Sequence, residues 1–249
     1  LSFLVKNLVT EDIVYVTESN IGSSVTAEDL LLEIDTIIAK NEALQLKFDE
    51  VVVLYSNNTY TTVPSALFDE TKASEYLKFN SKILSNDFIA FDQIESYDMV
   101  VVYIPYMNIN NYFFEKFGSF KYYHAVSVFL MDILPSAKHS LSTKMYLNVQ
   151  EEQLDVIILE EGKLLLCNSF LFKTSEDFIY YILFCLEQLR LNPDTIPIIL
   201  SGSIEKKDSN YVMLYTYIRN ISFIGDTTNN SAQSGTGVYH KNYLLKNIH

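Results

Sequence analysis

Cysteine occurs only as Cys167 and Cys185, each inside an apolar run, which is too few and too embedded for a disulfide framework or a metal site. Two thiols kept in a reducing compartment is the plainer reading, and it points to the cytoplasm. Long apolar runs are also missing. The longest, 178–185 and 98–105, stop far short of the roughly 20 residues that a membrane-crossing helix needs, so no membrane span is expected. Residues 1–9 lack the basic start, apolar core and small-residue cleavage site of a secretory signal. Positive charge is scarce: 18 Lys and Arg face 31 Asp and Glu, a net charge of −13, and the basic residues are scattered rather than striped. A phosphate backbone would be repelled, which argues against nucleic acid as a partner. Gly-x-Ser-x-Gly elbows, Walker loops, zinc-ligand spacings and dinucleotide fingerprints are absent as well.

What is present is an apolar chain that repeats itself. With 249 residues and 49% apolar composition it can bury a substantial core. Thr26-Ala27-Glu28-Asp29-Leu30 recurs as Thr174-Ser175-Glu176-Asp177-Phe178, each a hydroxyl N-cap followed by acids in the first helical turn. Upstream of each cap lies a pair of strand-like segments, 1–8 with 13–17 and 154–159 with 163–167. Downstream of each lies a buried-strand run, 51–55 and 196–200. Strand, strand, helix, strand therefore occurs twice. The offset of 148 residues set by Thr26 and Thr174 gives the strand 144–150 a partner ahead of Leu1, so the first copy is expected to lack its leading strand. The second helix is apolar on both sides and is expected to be covered twice, whereas the first is amphipathic and covered once. Between the copies, the pattern predicts a strand over 99–104, a helix over 108–117, a strand over 120–123 and a helix over 125–134. Pro135 and the polar 136–143 mark a boundary. This divides the chain into a first unit (1–138), a second unit (139–224) and a linker with a C-terminal segment (225–249), of which 225–237 reads as flexible and 238–249 regains apolar residues.

Three stretches carry a family resemblance. They are Val63-Pro64-Ser65-Ala66-Leu67-Phe68-Asp69-Glu70 with Glu75-Tyr76-Leu77-Lys78-Phe79-Asn80, then Val102-Tyr103-Ile104-Pro105 with Ile109-Asn110, and then Asn168 to Phe170 through Glu176 to Phe184 with Glu187-Gln188-Leu189. Over about residues 1–224 the chain resembles the DUF3822 family of uncharacterised Bacteroidetes proteins. That resemblance implies an α/β fold of duplicated ribonuclease H-like units, similar to the actin-like ATPases, and implies no activity by itself.

Actin-like ATPases grip phosphate through a Gly-bearing turn after the first strand of each half, often Asp-x-Gly. Here Asn148-Val149-Gln150 stands in that place and Glu151-Glu152 follows, an arrangement that would repel polyphosphate. Ser201, Gly202 and Ser203, after a buried strand, are the candidate nucleotide contacts, with Lys206 and Lys207 nearby. A two-metal nuclease would need several strand carboxylates. Only Asp155 is at hand, and a strand-end acid is expected to be solvated. His124 has no spaced Ser and Asp to make a triad with Ser127 or Asp132, and it reads as structural, while His139, His240 and His249 fall in polar or terminal segments. The sequence thus favours a cytoplasmic, non-catalytic scaffold or interaction module without a cofactor, meeting a protein partner or another copy through an aromatic-rich face. The alternative is an ATPase or phosphotransferase that holds ATP with Mg²⁺ in a cleft between the units.

Overall fold

The structure, a computed structural model, describes residues 1–21, 26–78, 83, 84, 87–138, 140, 142–226 and 240–248. In chain order the elements are β1 (Ser2–Lys6), β2 (Ile13–Glu18), α1 (Ala27–Lys40), β3 (Val52–Tyr55), β4 (Tyr60–Pro64), α2 (Ala73–Leu77), β5 (Ala90–Ile94), β6 (Met99–Tyr103), α3 (Met107–Phe117), β7 (Lys121–His124), α4 (Ala125–Ala137), β8 (Lys144–Val149), β9 (Gln153–Glu160), β10 (Lys163–Leu171), α5 (Ser175–Gln188), β11 (Pro197–Gly202), α6 (Ser209–Tyr217), β12 (Asn220–Phe223) and α7 (Tyr243–Lys246). They form two compact units, Leu1–Val128 and Phe129–Asn247, so the dividing line falls inside α4. That helix runs through Pro135, three residues beyond the end read from the sequence. A proline so near a helix end forfeits few hydrogen bonds, and the Lys138 amide still closes the last turn on Leu134 O at 3.1 Å. Most of the glycine- and serine-rich stretch 225–237 lies outside the described residues.

The second unit is built on one five-stranded sheet in the order β10-β9-β8-β11-β12. β8 is its centre, antiparallel to β9 and parallel to β11. Strands covered on both faces should read as continuous apolar runs, and β8 and β9 do, being buried along nearly their whole length. Met145, Leu147 and Val149 on one face of β8 join Leu154, Val156 and Ile158 of β9 and Ile198 and Leu200 of β11 in a core closed by α5. On the other face Tyr146 meets Phe129 of α4, which in turn meets Tyr243 of α7.

α5 starts where the sequence places it. Thr174 Oγ1 accepts from Asp177 N at 3.1 Å, and the Asp177 carboxylate accepts from the Thr174 amide at 3.2 Å, a reciprocal capping box. Phe178, Ile179, Ile182, Cys185 and Leu186 are buried. On the second apolar side Ile179 is buried and Leu183 is partly buried against the same core, so only Phe184 of that side is left exposed, at 41%, beside Tyr180 at 60%. Their rings lie nearly parallel with centroids 6.0 Å apart, so each shields part of the other.

The first unit repeats much of this plan. Thr26 caps α1 with the same reciprocal box. The hairpin β1-β2 corresponds to β9-β10, α1 to α5, and the parallel pair β3-β7 to β11-β12. Even the helix contacts correspond: α3 sits against α1, with Asn108 Nδ2 donating to Ala27 O at 2.7 Å, as α6 sits against α5, with Ser175 Oγ donating to Asn210 Oδ1 at 2.7 Å. The repeat is therefore longer than the sequence showed, because α3 and β7 belong to the first copy. A three-stranded antiparallel sheet, β4-β6-β5, is inserted between β3 and α3 and disguises the correspondence. Its own small core joins Val63, Val100 and Val102 to Ala73 and Leu77 of α2. Among the described residues no strand plays the part of β8: β1-β2 and β3-β7 are separate two-stranded sheets.

Candidate functional site

The C-terminal ends of β8 and β11 hold a row of buried polar side chains that the strand register assembles. Ser169 of β10 lies opposite Asp155 of β9, Asp155 opposite Asn148 of β8, and Asn148 opposite Ser201 of β11. Asp155 is buried at 1% exposure, not solvated as expected for a strand-end acid, because β9 has a neighbour on each side. Its carboxylate accepts from Asn148 Nδ2 at 2.9 Å, Gln153 Nε2 at 2.9 Å and Ser169 Oγ at 2.6 Å. Burial raises its pKa, and the three donors pull the other way. The row continues through Ser201 Oγ, which donates to Leu147 O at 3.2 Å and to Asn148 Oδ1 at 3.3 Å. Asn148, read as a weak stand-in for a metal-binding Asp, thus bridges Asp155 to Ser201.

The turn Ser201-Gly202-Ser203 is where a nucleotide contact was sought. Ser201 is fully buried in the row just described. The Gly202 amide donates to His240 O at 2.9 Å, and the Ser203 amide donates to Val149 O at 2.6 Å. Gly202 has φ +88, and a Cβ there would lie 2.1 Å from Val149 O, so only glycine lets β11 pass the end of β8. Lys207 pairs with Glu205 at 3.0 Å, as does Lys241 at 2.6 Å, and these two cations hold the Glu205 carboxyl down at about 2.

Sequence reading passed over His240, which the structure brings to this turn. It is buried, stacks on Phe223 with centroids 4.3 Å apart, and its Nε2 lies 2.7 Å from Ile204 O. Tyr243, three residues on, hydrogen-bonds the Asp132 carboxylate. Residues 240–247 thereby form a strap whose anchors are the β11 turn and α4. The apolar recovery after residue 238 was its only signal in the sequence.

A second polar cluster lies in the first unit. Asp92 accepts from the His124 amide at 2.8 Å and from Tyr103 OH at 3.0 Å, and the buried Ser127 hydroxyl faces the same carboxylate without full hydrogen-bond geometry. The His124 ring is fully buried between Tyr60 and Tyr103. Its Nδ1 accepts from the Val126 amide at 3.2 Å, which puts the proton on Nε2, 3.0 Å from Asn57 O. Both nitrogens serve the backbone, so the imidazole works as a structural tie.

Burial lowers the His124 pKa from 6.5 to about 4. The folded state binds this proton less readily than the unfolded chain does, so the contribution is whole above pH 6.5 and is lost as pH falls towards 4. The loss is expected to reach about 3 kcal/mol. Burial raises the pKa of Asp92, so protonation of that carboxyl stabilises the fold and acts in the opposite sense at acid pH. Urea denaturation at pH 7, 5.5 and 4.5 should therefore show a steeper decline in the native protein than in His124→Gln, whose amide can still donate to Asn57 O.

Among the described residues no group of three or more His, Cys, Asp or Glu side chains could hold a metal ion, and no helix is long and apolar enough to cross a membrane. Cys167 and Cys185 are not joined, and burial pushes the Cys185 thiol up to about 11, which keeps it protonated and unreactive.

Solved structures share this architecture. A Bacteroides thetaiotaomicron protein with an actin-like ATPase fold and unknown function superposes with a TM-score of 0.78 at 21% identity, over 90% of this chain and 86% of that one. The PilM-PilN type IV pilus biogenesis complex matches with a TM-score of 0.55 at 12% identity, over 90% of this chain and 84% of that one. Identities this low speak to the fold, which is actin-like. No curated protein matches the sequence. The model of DUF3822, described as a protein of unknown function, covers residues 1–221, and the chain belongs to that family.

Proposed function

We propose that this protein is a cytoplasmic scaffold or interaction module that uses an actin-like fold without phosphate-transfer chemistry. The observation that carries this reading is that the β11 turn is already satisfied from within. The amides of Gly202 and Ser203 donate to His240 O and Val149 O, and the hydroxyl of Ser201 donates into the strand row. A phosphate clamp works by leaving such donors directed at the ligand. The fit to a magnesium nucleotide is poor in two further respects. The carboxylate of the polar row, Asp155, is buried and held by three donors, and Glu151 and Glu152 occupy the turn between β8 and β9.

Exposed aromatics support an interaction role. Phe114, Tyr180 and Tyr215 are each about 60% exposed, and large aromatic side chains dominate interface energetics because they bury much area with few rotatable bonds. The PilM-PilN type IV pilus biogenesis complex, a two-protein assembly, adds a fold-level precedent.

Thermal denaturation with millimolar ATP, ADP or GTP and Mg²⁺ tests the reading. A ligand at a hundred times its Kd stabilises by about 2.7 kcal/mol, a shift of several degrees, and no shift is expected here. Saturable nucleotide binding, confirmed by calorimetry, would replace the scaffold reading with an ATPase or phosphotransferase.

A further inference from the structure

The five-stranded sheet of the second unit ends on two unlike edges. β12 is four residues long, the short kind of edge that limits pairing with another chain. β10 runs for nine residues, contains no proline and has Lys163 as its only charge. Among the described residues β10 pairs only with β9. Its bulge lies between Leu164 and Leu166, and the ladder to β9 is regular from Leu166 to Leu171. A long apolar edge of this kind is a template for another strand. The apolar surface continues from the edge onto α5. Phe170 stacks on Tyr181 with centroids 4.6 Å apart, Tyr181 meets Tyr180 at 5.5 Å, and Tyr180 lies along Phe184. The row leads from the edge strand to the exposed part of the helix. Leu165, Leu171, Tyr180 and Phe184 are 40%, 59%, 60% and 41% exposed.

We propose that β10 is a self-association edge: a second copy of this chain lays its own β10 antiparallel on it, about a two-fold axis near the middle of the strand, and the α5 aromatics of the two copies meet over the joined sheet. The proposal rests on the interaction-module reading and names its partner. Charge selects a second copy in that orientation. Two chains of net charge −13 repel, so self-contact needs a surface poor in acids, and β10 carries none. Glu160 and Glu161 precede Lys163 at the start of the strand, and Lys173 follows its end. Antiparallel pairing brings each copy's Lys173 to the Glu160-Glu161 turn of the other, whereas parallel pairing would set like beside like. A two-fold contact uses up this edge in both copies, so assembly closes at a dimer.

Sedimentation velocity of the 249-residue chain, without nucleotide and from about 1 to 100 μM, tests the pairing. A reversible dimer is expected. Amides of β10 should exchange at least about tenfold more slowly in the dimer, because an edge strand becomes a central one. Lys173→Glu, at an exposed position, sets acid against acid at both ends of the paired strands and should raise the dimer Kd about tenfold. Adding Glu161→Lys reverses both charges and should restore the native Kd. Glu161→Lys alone sets Lys against Lys, weakens the dimer in the same way, and serves should Lys173→Glu fail to fold. A chain that is monomeric at the top of the concentration range overturns the proposal, as does a dimer with unchanged β10 exchange or a double variant as weak as the single one. The monomer result leaves the interaction reading standing, with a different protein on the edge. Nucleotide-dependent melting overturns that reading and not the pairing.

Discussion

Asp155→Ala is expected to destabilise the second unit by about 3–5 kcal/mol, measured by urea denaturation at pH 7, because it leaves Asn148 Nδ2, Gln153 Nε2 and Ser169 Oγ without their shared acceptor in a buried sheet. The contrast with Asp155→Asn identifies the cause. Turning over the Asn148 amide would present its oxygen to the new side-chain NH₂ and its nitrogen to Ser201 Oγ, which still reaches Leu147 O. Every member of the row then keeps a partner, and a loss of about 1 kcal/mol is expected at pH 7. The pH dependence follows from the raised pKa of Asp155. The native state takes up this proton at a higher pH than the unfolded chain, whose value is near 3.8, so acidification stabilises the native protein at this position. Asp155→Asn cannot gain in that way, and its stability relative to the native protein should fall as pH drops towards 3.8.

Gly202→Ala is expected to cost about 3–5 kcal/mol, a large share of the ordinary stability of a folded unit, measured by thermal denaturation and by the loss of exchange protection in β8 and β11. Two penalties coincide at this residue. A φ of +88 is poorly tolerated by a residue with a Cβ, and the added methyl would meet Val149 O at 2.1 Å, a backbone atom held by the Ser203 amide. Gly118→Ala is the control: its φ of +79 and ψ of −138 disfavour a residue with a Cβ, but nothing lies within 4 Å of the added carbon, so only the conformational penalty of about 1–3 kcal/mol applies. A Gly202→Ala loss no larger than that of Gly118→Ala would show that the close passage of β11 over the end of β8 is not what requires glycine.

These two residues also mark the limit of sequence reading. Gly202 was singled out from its place after a buried strand, and as a turn glycine it was visible. That its amide donates to His240, 38 positions away, was not. Asp155 looked like a lone acid because only one of its three donors, Gln153, lies on its own strand, and the other two come from the neighbouring strands, Asn148 of β8 and Ser169 of β10. Strand register alone puts Ser169, Asp155, Asn148 and Ser201 in one row. The first copy was read short for a related reason: the inserted β4-β6-β5 sheet separates β3 from α3, and a repeat interrupted by that much chain loses its spacing before it loses its structure.

The sequence by itself determined the local elements and their duplication. The two Thr-x-x-Asp caps fix where α1 and α5 begin through bonds spanning three residues, and the apolar runs of β8, β9 and β11 declare strands buried on both faces. Such signals are written in neighbouring residues, where hydrogen bonds and periodicity act. Only the tertiary structure decided which polar groups satisfy one another, that a C-terminal strap lies on the candidate turn, and that the inserted β4-β6-β5 sheet interrupts the first copy. Those outcomes depend on strand pairing between distant segments. A β-strand carries half of each hydrogen bond in its own backbone, and its sequence does not say which strand holds the other half.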